Sequence, residues 1–279
     1  MSSARLLAAA GAAALLAIPA AHAADLGPPP PCGSLGAPAC AAPIFEASGW
    51  YLRGDIGMSN QKLGSLDNVA NGPVTTQFLN FDSAPIADVG IGYQINSWLR
   101  VDATAEYRAN AHFHGQQVVT FGAGPTVLPD DYNASKSEWL FLANAYIDLG
   151  TWWNVTPFVG VGIGASRNTI TSFVDQGATQ SGATILSTTY GADASKWNFA
   201  WAAYAGLAYQ VSPAFTVEMS WRYLDLGSAT TGPTAAFDGS FSGATPFVFK
   251  DLTSQDVRLG FRWMLDAPPP PPPPLMRRG

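Results

Sequence analysis

The chain has 279 residues and a formal net charge of −6, and only 12% of it is charged, about half the share usual in soluble proteins. That balance excludes broad electrostatic binding to nucleic acid. Glycine (28), proline (22) and nine tryptophans are frequent, a composition that points to sheet structure meeting a medium other than water.

In chain order, residues 1–23 read as a secretory signal peptide. Arg5 is the only early charge, Leu6 to Pro19 is apolar, and Ala21-His22-Ala23 supplies a small-x-small cleavage site. The apolar stretch is shorter than the roughly 20 residues of a membrane helix. The mature chain is expected to begin at Ala24, outside the cytoplasm. Residues 24–48 form a proline-rich lead holding the only cysteines, Cys32 and Cys40, for which an oxidising compartment predicts a small-loop disulfide. Residues 266–279 mirror the lead with a run from Pro268 to Pro274, an extended polyproline tail. Residues 49–265 are expected to fold as one unit.

Eight segments of that unit alternate with period two. The first sets Trp50, Leu52, Ile56 and Met58 against Tyr51, Arg53, Asp55 and Ser59. The second begins at Asp88; the third, Leu99 to Arg108, is the clearest. The fourth runs through Trp139 to Asp148, and Gly160, Gly162 and Gly164 share one face of the fifth. The sixth, seventh and eighth lie around Phe199–Gln210, Phe215–Tyr223 and Asp256–Trp263. Repeated alternation predicts strands. Short connections at 96–97, 150–154 and 211–214 alternate with long polar ones at 60–83, 109–137, 167–196 and 226–252. That arrangement predicts an all-β, eight-stranded antiparallel up-and-down transmembrane barrel, with long loops extracellular and both termini periplasmic. The uncharged stretch from Trp197 to Val217 could pass for a membrane helix, but Ser212-Pro213 interrupts it and a helix leaves seven alternating segments unexplained.

The charges are confined to the face opposite the tryptophans: Arg53, Arg100, Arg108, Arg222, Arg258 and Arg262, with Asp55, Asp88, Asp102, Glu106, Glu138, Asp148, Glu218 and Asp256. An arginine turned to lipid near the midplane costs about 2–4 kcal/mol, so a slipped register would expose several at once. These side chains are therefore expected to fill the lumen as a paired ionic network. The lysines Lys62, Lys136, Lys196 and Lys250 fall one to each long connection, and are expected at the outer rim against lipopolysaccharide phosphates.

Gly49-Trp50-Tyr51-Leu52-Arg53-Gly54-Asp55-Ile56-Gly57 resembles the opening strand of the small outer-membrane immunogenic β-barrels, surface antigens of the OmpA-like eight-stranded group. Trp221-Arg222-Tyr223-Leu224-Asp225-Leu226-Gly227 resembles their seventh strand, and the resemblance covers essentially all of 49–265. It implies that Gly260, Trp263 and Leu265 form the signal read by the barrel-assembly machinery. It also implies that Ala24, in an Ala-Asp start, is a point of attachment to peptidoglycan. This chain departs from the family in running fourteen residues past Leu265.

Gly160-x-Gly162-x-x-Ala165 fits a dinucleotide fingerprint only formally, since no helical period follows it. His112 and His114, two apart, could face a metal or haem iron from the second long connection, and no compact triad is visible. The sequence therefore predicts no catalytic, metal or cofactor site. It predicts a structural envelope barrel, with a narrow channel or a loop receptor for a ligand such as haem as alternatives.

Overall fold

The computed structural model describes residues 48–68, 74–120, 127–180, 184–239 and 242–266. The expected signal peptide, Ala24, Cys32, Cys40, the proline-rich lead up to residue 47, and the tail from residue 267 lie outside the described residues.

Among the described residues thirteen strands form one antiparallel sheet: β1 (Gly49–Lys62), β2 (Ser65–Asp67), β3 (Val74–Phe81), β4 (Ala84–Gln94), β5 (Leu99–Thr120), β6 (Val127–Asp148), β7 (Val155–Gln180), β8 (Thr184–Gly191), β9 (Ala194–Gln210), β10 (Phe215–Thr230), β11 (Thr234–Ala236), β12 (Ser242–Ala244) and β13 (Val248–Met264). Eight of them close a ring, β1–β4–β5–β6–β7–β9–β10–β13 and back to β1, each pairing antiparallel with two neighbours. Full closure leaves this ring without an open edge, as a lipid setting requires.

Tight connections lie at one end. Asn96 Oδ1 accepts the Trp98 and Leu99 amides. Trp152 and Val155 exchange backbone hydrogen bonds around Trp153 and Asn154. Both of those central residues have positive φ (51° and 64°), the type I′ geometry that suits right-twisted strands. Ser48 and Asp266, the first and last described residues, lie at this same end, where the Leu265 amide donates to the Trp50 carbonyl.

At the other end the expectation of long loops needs correction. β5 and β6 each run 22 residues and β7 runs 26, well beyond the roughly 9–11 that cross a membrane. Most of the described residues in the long connections therefore continue the wall upward as an upper storey. There β3 takes over from β4 beside β5, and β8 from β9 beside β7. β2 pairs with the start of β13, and the Gln77 side-chain amide links β3 to β2 through the Leu66 amide and carbonyl.

Within the ring, the outward face is apolar and exposed, and all nine tryptophans are on the exposed side. They form two belts with tyrosines. On β9 the outward Trp197 and Trp201 stand twelve and eight residues from Tyr209. At ~3.3 Å per residue and a tilt near ~40°, the belts are about 20–30 Å apart. That matches the apolar band of about 25 Å between aromatic girdles in outer-membrane barrels.

Candidate functional site

The interior of the ring is the chemically distinctive region. All fourteen charged residues named above point inward, and none is more than 9% exposed. Alternation delivers them there, because every second residue of each strand faces the bore. Small residues opposite make the room. A Cβ on Gly162 would stand 2.2 Å from Asn144 Oδ1, and one on Gly260 would stand 2.1 Å from Asp55 Oδ1. The Gly160–Ala165 fingerprint thus lies inside strand β7, serving packing and not nucleotide binding.

The charges are arranged in tiers. Nearest the tight turns, Arg100 reaches Asp148 and Glu218, both at 3.2 Å. Its guanidinium carbon sits 4.3 Å from the Tyr146 ring centre and 4.6 Å from that of Phe158, so burial is offset by cation–π as well as ionic contact. Arg262 reaches Glu218 at 3.5 Å and donates to Gln94 Oε1. In the middle tier Arg53 forks onto both oxygens of Asp55 at 3.0 Å and donates to Asp102 at 2.7 Å. Asp102 also accepts from Tyr51 and Asn144. Arg258 spans Asp55 at 3.0 Å and Asp88. Higher still, Arg108 and Arg222 share Asp256 and Glu106, with separations of 2.6–3.0 Å, and Arg108 also meets Glu138 at 2.5 Å.

Lys136 corrects the expectation of a lipopolysaccharide contact at the rim. It is fully buried, paired with Glu138, and donates to Gln61 Oε1 at 2.8 Å. Its position two residues from Glu138 puts both on the inward face of β6. Among the described residues the network therefore has seven cations against eight carboxylates. The other three lysines are exposed: Lys250 pairs with Asp67 at 2.5 Å, Lys196 donates to Ser228 Oγ, and Lys62 ends β1.

Above this network the bore changes character. Phe81, Phe113, Tyr132, Phe173, Phe247 and Phe249 are buried inward and form one contiguous cluster, with successive ring centres 4.6–6.4 Å apart. They come from β3, β5, β6, β7 and β13 and the residue preceding β13, so they fill the passage from several sides. Sequence reading missed this plug because its residues lie in stretches read as polar connections. Still higher, Tyr132 donates to Gln117 Oε1 at 3.0 Å. Burial there raises the Asp175 carboxyl to about 7, with Asp130 adding repulsion, and burial also raises Asp130 itself.

His112 and His114 are exposed on the outward face of β5. Their Nδ1 atoms lie 3.3 Å from Ser135 Oγ and 2.8 Å from Asn133 Oδ1 on β6. Among the described residues no group of three or more histidine, cysteine or acidic side chains is placed to hold a metal. Of the residues implied to form the assembly signal, Gly260 faces inward against Asp55, while Trp263 and Leu265 are exposed.

A closed antiparallel ring with an apolar, tryptophan-belted exterior and an ionic interior defines a transmembrane β-barrel. The model of the outer membrane protein beta-barrel domain matches residues 10–264. An uncharacterized protein of Brucella suis biovar 1 is 32% identical over 211 residues, covering 65% of this chain and 72% of its own. One from Brucella abortus is 31% identical over 206 residues with the same coverage. Among solved structures, Neisserial surface protein A has 15% identity and a TM-score of 0.42, covering 78% of this chain and 98% of its own. OprG from Pseudomonas aeruginosa has 15% identity and a TM-score of 0.44, covering 78% and 97%. The outer membrane protease OmpT from Escherichia coli has 10% identity and a TM-score of 0.42, covering 79% and 98%. The chain belongs to the outer membrane protein beta-barrel domain family, and its place is the outer membrane.

Proposed function

We propose that this protein is a structural, non-conducting barrel of the bacterial envelope. In this reading the upper storey faces the cell exterior, and Ser48 and Asp266 face the periplasm. The observation that carries it is the double seal of the bore. A network of seven cations and eight carboxylates crosses the membrane level, and the aromatic plug lies directly above it. An ion would have to displace paired charges and then pass a packed apolar layer, two barriers of different kind. No catalytic step is assigned, since both histidines point outward and are engaged by β6.

The test is conductance of the purified full-length protein in a planar bilayer. The expected result is a membrane without steady current; stable open steps abolished by Arg100→Ala would instead establish a channel. The envelope role extends to a covalent link from Ala24 to peptidoglycan, supported by the Ala-Asp start of the expected mature chain. Sacculi from cells boiled in detergent should retain the protein until muramidase digestion. Complete release on boiling removes the covalent link from the proposal.

A further inference from the structure

Seven arginines lie among the described residues. Six are buried in the bore against carboxylates. The seventh, Arg167, is exposed on the outward face of β7, and its guanidinium makes no hydrogen bond or ion pair with any described residue. It continues the outward row of Val159, Val161, Ile163 and Ala165, and so stands on the lipid-facing wall at the upper belt.

Its surroundings are specific. Register places Trp139 of β6 on one side and Trp197 of β9 on the other. Phe141 stacks on both, with ring centres 6.3 and 6.2 Å away, which makes a continuous aromatic shelf on the membrane side of the guanidinium. One row further up, Ser137, Thr169 and Ser195 lie in register, with Thr169 Oγ1 2.9 Å from Ser195 Oγ. Neither adjacent row carries a carboxylate. An unpaired cation between an apolar shelf and a hydroxyl row presents, in order, surfaces for acyl chain, anion and sugar.

We propose that Arg167 binds the phosphate of a phosphorylated saccharolipid in the outer leaflet, with its planar fork taking two phosphate oxygens. The hydroxyl row receives the sugar, and Trp139 and Trp197 flank the headgroup. This role moves from Lys136, which is buried, to a residue whose charge has no internal partner. Of the other exposed cations, Lys250 pairs with Asp67, Lys196 donates to Ser228 Oγ, and Lys62 has only Thr253 beside it in register. The inference rests on the upper storey facing outward.

The test titrates bis-phosphorylated lipid A into the full-length protein in neutral detergent and counts bound lipid by native mass spectrometry. Arg167→Gln should weaken binding about tenfold, the loss expected for a charge-assisted contact, and Arg167→Lys should fall between. Lipid A stripped of phosphate should bind the unaltered protein as weakly as intact lipid A binds Arg167→Gln. Equal affinity of Arg167→Gln and the unaltered protein overturns the proposal, as does an equal loss in Lys62→Gln. Displacement of lipid A by inorganic phosphate would make the site one for free anion and overturn the lipid assignment. Heat-dependent gel mobility should be unchanged in every variant, since all the altered side chains are exposed. Orientation is tested separately, with Phe237→Cys in a chain carrying Cys32→Ser and Cys40→Ser. Labelling by an impermeant maleimide on intact cells upholds the outward reading whatever the lipid result, and absence of labelling rejects that reading.

Discussion

The two storeys of this barrel bury opposite kinds of side chain behind the same continuous strands. At membrane level the bore is ionic and the outside is apolar; above the upper belt the bore is aromatic and the outside is polar. The difference teaches that "inside" follows the external medium. Lipid accepts the apolar face and leaves polar groups to satisfy one another inward. Water, met a few residues later, restores the ordinary preference for an apolar core.

The switch is made with bulges. On β5 the inward positions are even from Arg100 to Arg108 and odd from Ala111 onward, and the pairing with β6 shifts between Arg108 and Ala111. On β7 the inward series passes from Ile170 to Phe173 across Ser172, whose φ is +54°. On β13 it passes from Phe249 to Leu252 across Asp251, whose φ is +56°. In each strand the plug aromatic (Phe113, Phe173 or Phe249) keeps the odd parity of the lipid-facing apolar series, and the inserted residue turns that parity from lipid side to core.

The comparison can be broken first in the lower storey. Arg108→Ala leaves Glu138 and Asp256 buried with fewer partners and is expected to cost about 3–5 kcal/mol. The readout is the urea midpoint for loss of heat-resistant mobility in lipid vesicles. In the upper storey, Phe113→Ala opens a cavity in the plug and is expected to cost about 3 kcal/mol. That loss should register as faster hydrogen exchange in β3, β5 and β13 above the belt, with little change in the midpoint. A shared loss in both readouts would show the storeys to be one cooperative unit. The smallest effect concerns pH. Because burial raises Asp175 to about 7, the folded state retains a proton that the unfolded state releases near pH 4. The stabilisation is therefore complete below about pH 4 and fades as pH rises through about 7. Amides of the β7–β8 hairpin should exchange faster, relative to Asp175→Asn, at pH 8 than at pH 5.

This geometry also explains what could be read from sequence. Period two held wherever parity was constant, so the eight ring strands and their inward charges were legible, down to Arg262 and Asp148. It was lost where a bulge and a change of medium coincide: the expected connection 109–137 begins directly after Arg108, and 226–252 ends at Leu252 beside the Asp251 bulge. Lys136 was misassigned although it shares parity with Glu138, because lysine is so often a surface residue. Arg167 was passed over although it continues the parity of Ala165. A lone arginine among serines and threonines looks like loop until register sets tryptophans on both sides of it.

The ring closes between its first and last strands, with Tyr51 opposite Met264. The same final strand supplies Asp256 to Arg108 and Arg222, and Arg258 to Asp55 and Asp88. Closing the wall and neutralising the bore therefore both depend on β13. A chain without β13 would carry unmatched charge and an open edge together, and hydrocarbon rejects both.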